Sequence, residues 1–432
     1  MKVVYASLLL LLTACQTVKN TKTSQPKDMD LSRKTWIKHT NVYEVNVRQY
    51  TKEGTFAAFA KELPRLKEMG VETLWFMPVT PIAQKNKKGT LGSYYAADDY
   101  TSINAEFGTL EDFKALVNQA HGLGLKVIID WVANHTGWDH VWTKQHPDWY
   151  EKDPATNDFK IASGMDDIIE LDFKNKDMRR AMIDAMKFWV TEAGIDGFRA
   201  DLAFWVELDF WLEAKKELDA VKPLFWLGEL DALDKPEYMQ VFDAAYTWTW
   251  MHRAKDFYQQ NLPLNTLDSV LLKYEAAPGM ETWFTTNHDE NSWNGTEYEK
   301  YGNAAQALAV FSCTWPGIPL LYSGQELPNH KRLEFFEKDP IAWTGNNQLH
   351  SFYKTLLNLH STHPALSAVA SEAPVHRLQT SQSGNVMAYL RKAGNKEVLV
   401  LLNMSGSGNL PVEISDSKVG GTFKNVFSGE TV

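Results

Sequence analysis

The feature that most constrains this chain is an alternation. Between residues 35 and 347, short apolar runs of β-forming residues alternate with longer amphipathic stretches. The runs are VYEVNV from Val42, ETLWFMPV from Glu72, KVIIDWV from Lys126, DGFRAD from Asp196, PLFWLGEL from Pro223, FDAAYTW from Phe242, ETWFTTNH from Glu281 and IPLLYSGQE from Ile318. Between them lie stretches such as FAAFAKELPRLKEMG, TLEDFKALVNQAHGLG, KDMRRAMIDAMKFWV and ELDFWLEAKKELDAV, with apolar residues at helical spacing. Near-continuous apolar runs suit parallel strands covered on both faces. Strand then helix, eight times over, predicts a closed (β/α)8 barrel. Pro64 is out of place inside the first helical stretch and predicts a kink or a late helix start.

Three segments fall outside the rhythm. Residues 136–175 hold Trp, Asp and His without a long helical period, and predict a small inserted domain over the barrel mouth after the third strand. Residues 348–366 read as the last barrel helix. Residues 367–432 alternate (NVMAYLRK, EVLVLLNMS) and predict a small C-terminal antiparallel β-domain. At the other end, Lys2, the apolar run Val3 to Leu12 and the tetrapeptide LTAC ending at Cys15 resemble a bacterial lipoprotein signal with its lipobox. On that reading residues 1–15 hold the signal and Cys15 carries lipid. Residues 16–34 are then a flexible tether, and the chain is exported and membrane-anchored, periplasmic or at the cell surface. Cys313 is the one other cysteine, which leaves no disulfide after processing.

Charge narrows the ligand class. The 54 acidic and 44 basic residues give a net charge of −10 with no basic stretch, which argues against nucleic acid. The 16 Trp and 16 Tyr residues offer flat faces of the kind that suit sugar rings.

In such a barrel, polar residues at the C-terminal ends of strands converge on one mouth. Those ends carry Asp130, Asn134 and His135 after the third strand, Arg199 and Asp201 at the fourth, Glu229 at the fifth, and His288 and Asp289 at the seventh. A cluster of this charge is too costly to be core packing. Two carboxylates in different environments are what glycoside hydrolysis requires. Arg199, two residues before Asp201, is expected to keep it ionised as a nucleophile. Glu229, flanked by Trp226, Leu227 and Leu230, suits the proton donor.

The segments DWVANHT (130–136), GFRAD (197–201), GEL (228–230) and TTNHDE (285–290) resemble, in order and spacing, the four signature regions of the α-amylase family, glycoside hydrolase family 13. GSYYAADDYTSINAEFGTLEDF resembles the stretch around that family's second barrel loop, and LDFKN at 171 loosely matches a fifth region. The resemblance covers roughly residues 35–425. It implies Asp201 as nucleophile, Glu229 as acid/base and Asp289 as the third carboxylate that grips the distorted sugar. Arg199 would position Asp201, and Asp130 would hold Arg199. His135 and His288 would bind the sugar before the cut, with Tyr95, rather than its neighbour Tyr94, stacked beneath it. No cofactor is implied for the chemistry. Asn134 matches a calcium position, so a structural calcium is an open expectation.

Two positions depart from the family pattern. Phe204 and Trp205 stand where many endo-acting members carry Lys-His. Trp205 is expected either to stack on a sugar beyond the cut or to pack on a loop. The implied activity is retaining hydrolysis of α-1,4-glucosidic bonds in starch-like glucans or maltooligosaccharides. An exo-acting α-glucosidase, a cyclomaltodextrinase and a transglycosylase remain alternatives. A non-catalytic glycan-binding protein is a remote one, since all three carboxylates are present.

Overall fold

The computed structural model describes residues 31–432 apart from 346 and 407; the signal, Cys15 and the tether up to residue 30 lie outside them. Thirteen strands are defined among the described residues: β1 (Val42–Val45), β2 (Thr73–Phe76), β3 (Lys126–Trp131), β4 (His135–Gly137), β5 (Ile168–Glu170), β6 (Gly197–Ala200), β7 (Phe225–Asp231), β8 (Ala244–Tyr246), β9 (Met280–Trp283), β10 (Ile318–Tyr322), β11 (Val375–Arg377), β12 (Val386–Ala393) and β13 (Lys396–Asn403). Eight of them close a parallel barrel in the order β1-β10-β9-β8-β7-β6-β3-β2. The barrel forms from the eight apolar runs, because only a sheet covered on both faces can bury them.

Side chains two residues apart on a strand share a face, and this sets the barrel's filling. Val42, Trp75, Ile128, Phe225, Leu227, Ala244, Tyr246, Met280, Ile318 and Leu320 pack into one buried cluster. One step further toward the mouth, the same alternation brings Glu44, Asp130, Arg199 and Glu229. The second, larger cluster joins the outward faces of the strands to the surrounding helices. Those helices include Leu63–Met69, Leu110–Gly122, Lys176–Phe188, Leu208–Val221, Ala305–Thr314 and His350–Thr362. Pro64 falls in the first turn of Leu63–Met69, where the missing N–H costs no bond, so the late start is what the chain adopts.

One connection breaks the expected eightfold rhythm. Between β7 and β8 there is no α-helix, only the 3-10 turn Pro236–Gln240. The segment is short and Pro236 removes a donor at its start. The next connection instead carries two helices, Trp248–Gln259 and Asn265–Tyr274.

After β3 the chain makes its excursion, in which β4 and β5 pair antiparallel. At the C-terminus β11, β12 and β13 form an antiparallel sheet. Arg391 of β12 fastens it to the barrel by donating to the carbonyls of Thr314, Ser367 and Ala373 at 2.7–2.8 Å. Residues 31–34, expected in the tether, belong to the packed body. Leu31 is buried, and the Lys34 ammonium reaches both oxygens of Asp243 at 2.6 and 2.8 Å on the barrel floor. No helix among the described residues is long and apolar enough to cross a membrane.

Candidate active site

Arg199 is the hub of the mouth. It is fully buried on β6, where register places it between Asp130 of β3 and Leu227 of β7. Its Nη1 donates to Asp130 Oδ1 and Asp201 Oδ1, both at 2.9 Å, and its Nη2 lies 2.8 Å from Glu229 Oε2. The guanidinium carbon sits 4.9 Å from the Trp75 ring centre and 5.5 Å from that of Tyr246, so aromatic faces cover the cation where carboxylates do not. Three carboxylates around one buried cation leave excess negative charge. Expected from the sequence to be held ionised by Arg199, Asp201 is instead pushed well up: burial and the neighbouring Glu229 outweigh the guanidinium. Asp201 is therefore the carboxylate of this cluster that burial and its neighbours hold toward the protonated form.

Glu229 presents its two oxygens differently. Oε2 accepts the backbone N–H of Leu202 at 2.8 Å, beside Arg199. A proton meant for a leaving group is therefore best carried on Oε1. Leu202 itself sits in the left-handed region (φ 38°), strained backbone for a branched side chain. That conformation turns its N–H toward Glu229.

On the opposite wall, His288 Nδ1 meets Glu44 Oε1 at 2.5 Å, and its Nε2 meets the Tyr95 hydroxyl at 2.7 Å. Asp289 Oδ2 lies 3.5 Å from the same Nε2. Burial disfavours the imidazolium, yet Asp289 and Glu44 together push His288 up to about 9. Tyr95 also donates to Asp130 Oδ2 at 3.0 Å, and its ring lies nearly parallel to that of His288. Tyr95 thus joins this cluster, whereas Tyr94 is turned away, buried under Arg48. His135 opens β4. Burial drives it down to about 4, so it is neutral, and its Nε2 has no hydrogen-bond partner among the described residues.

The remaining expected positions divide. Trp205 is half-buried on the 3-10 turn Ala203–Trp205 just after Asp201, edge-on to Phe204, which is exposed. Asn134 donates to His135 Nδ1 at 3.3 Å, and its carbonyl accepts from Leu171 N–H. No group of three His, Cys, Asp or Glu side chains able to hold a metal occurs among the described residues. Of the excursion's aromatics, Trp142, Trp149 and Tyr150 pack on Tyr100, His146 and Phe159 rather than line the mouth.

Glu44, Trp75 and Tyr246 were not anticipated as part of the site. The available signal was Glu44 itself, an acid inside the buried strand VYEV, two residues along the inward face from Val42.

A sequence profile of the alpha amylase catalytic domain matches residues 22–164 and 148–348. Alpha-amylase 2 of Dictyoglomus thermophilum is 23% identical across 91% of this chain and 73% of its own length. The crystal structure of a maltogenic alpha-amylase, AmyB, from Thermotoga neapolitana is 32% identical with a TM-score of 0.83, covering 92% of this chain and 94% of that one. An alpha-amylase from Lactobacillus plantarum is 28% identical with a TM-score of 0.81, covering 92% and 95%.

Proposed function

As the chain belongs to the α-amylase family, we propose that it hydrolyses α-1,4-glucosidic bonds of starch-like glucans or maltooligosaccharides with retention of configuration. The observation that carries this is the single Arg199 guanidinium holding Asp130, Asp201 and Glu229 across three neighbouring strands, opposite His288 and Asp289.

The chemistry follows from that arrangement. Glu229 Oε1 gives its proton to the glycosidic oxygen as that bond breaks, while a carboxylate oxygen of Asp201 bonds to the anomeric carbon. This step requires Glu229 to carry the proton and Asp201 to be ionised, so that Asp201 is the nucleophile. Glu229, now a carboxylate, then takes a proton from water, whose oxygen displaces Asp201 and restores the starting state. Asp289 and the unpartnered Nε2 of His135 are placed to hold hydroxyls of the reacting ring, while His288, engaged by Glu44 and Tyr95, fixes the Tyr95 ring. Tyr95 supplies the face beneath it.

A maltose-producing or exo-acting variant of the same reaction is the second reading. It is favoured by the likeness to a maltogenic amylase and by Phe204 and Trp205 beside the nucleophile. Export and lipid attachment at Cys15 form part of the proposal and rest on the LTAC segment. A structural calcium at Asn134 stays part of the proposal.

The test is hydrolysis of maltoheptaose, read by reducing ends and by product length. Wild type should cleave it, and Glu229→Gln should lower kcat by about 10²–10⁴-fold. Cleavage at the wild-type rate by Glu229→Gln would remove Glu229 from the reaction.

A further inference from the structure

Beyond the reacting sugar, a row of rings leads out of the mouth. Phe335 lies 6.2 Å from both Tyr95 and His288, the first at an interplanar angle of 20°. Trp293 follows at 5.3 Å from Phe335 and 5.6 Å from Phe336. At 52% exposure, Trp293 is one of the most exposed large apolar side chains among the described residues. Trp293 thus ends a row of rings that begins at Tyr95 and His288, with its indole half open to solvent.

Its placement is built rather than incidental. Trp293 sits in the π-helical turn Glu290–Asn294, which begins directly after Asp289. It is therefore one turn from a carboxylate of the site, and such turns concentrate at functional positions. The segment carrying Phe335 is tied to this turn by Asn291. That side chain donates to the Lys331 carbonyl at 3.1 Å and accepts the Leu333 N–H at 2.9 Å. Glu290, fully paired with buried Lys300 at 2.9 Å, anchors the same turn from below. Arg332 grips Glu299 through two nitrogens on the far side.

We infer that Trp293 and Phe335 form a stacking platform for a glucose unit on the non-reducing side of the cleaved bond, so that Trp293 sets chain-length preference. The direction follows from the neighbours. Phe335 contacts Tyr95, the face proposed to lie beneath the sugar before the cut, and His288 beside it, whereas Phe204 and Trp205 flank the nucleophile. A pyranose presents an apolar face of C–H bonds, and an indole held by two phenylalanines offers a flat partner at little conformational cost.

This inference rests on the proposed glucan hydrolysis, and the experiment separates the two. Trp293→Ala and Trp293→Phe are made both in the active protein and in the Asp201→Asn background. In Asp201→Asn, maltoheptaose affinity is read by calorimetry. Trp293→Ala should weaken it about tenfold, and Trp293→Phe should retain most of it. In the active protein, KM for maltoheptaose should rise about tenfold, more than kcat changes, and the product lengths should shift. A melting temperature matching wild type would show that the fold is intact, as expected for a half-exposed side chain. Unchanged affinity and product lengths in a cleaving enzyme overturn the platform and leave the hydrolysis standing. Failure of wild type to cleave or bind maltoheptaose overturns both.

Discussion

Glu44 and His288 meet at the top of the barrel interior, and their charges decide what the site can hold. His288 is pushed up to about 9, against an ordinary value near 6.5. A group raised in this way stabilises the fold fully below about pH 6.5, and that contribution is lost as pH rises through about 9. Glu44→Gln removes one of the two carboxylates responsible. The basic limb of the kcat/KM profile should then move down by about one pH unit or more. An unmoved basic limb would mean that His288 is not the group titrating there. Glu44 was hard to find from the sequence because nothing local marks it: its partner is 244 residues away. Asp201, Glu229 and Asp289 were legible because each sits in a short motif at a strand end. The direction of the Asp201 shift was not, since it depends on three carboxylates sharing one arginine.

At the level of elements, the barrel's tightest demand falls on Gly197 of β6. A Cβ there would stand 2.0 Å from the Phe225 carbonyl oxygen on β7, backbone that cannot yield. Gly197→Ala should therefore destabilise by on the order of 3 kcal/mol, or prevent barrel closure, because a packed core resists added volume. A denaturant midpoint equal to wild type would show that β6 and β7 can separate at that point. All eight barrel strands were readable from their apolar runs, since burial on both faces leaves an unbroken hydrophobic signature. The missing helix between β7 and β8 was not, because counting strands imposes a rhythm that one short, proline-bearing connection need not keep. The π-helical turn that presents Trp293 likewise leaves no periodic trace in five residues.

Over the whole molecule, two buried histidines each make a contribution to stability that acid removes. His135 and His140 are buried and driven down to about 4 and about 3. Both lie below the unfolded value near 6.5, so the unfolded chain binds more protons once pH falls below it. Their contribution then declines from about pH 6.5 toward pH 3, by on the order of 3 kcal/mol for His135 and about 5 kcal/mol for His140 when protonation is complete. His140 Nδ1 also accepts the Trp142 N–H at 3.1 Å, a helix-start bond that protonation breaks. His140→Asn keeps an acceptor without the titration, and its melting temperature should fall less between pH 7 and pH 4. Equal falls in both proteins would exclude His140 as a source of acid sensitivity. The central claim, a retaining hydrolase with Asp201 as nucleophile, is tested most directly by proton NMR of maltoheptaose during the first turnovers. The account predicts α-anomeric reducing ends appearing first and none from Asp201→Asn; initial release of the β-anomer, or turnover by Asp201→Asn, would contradict it.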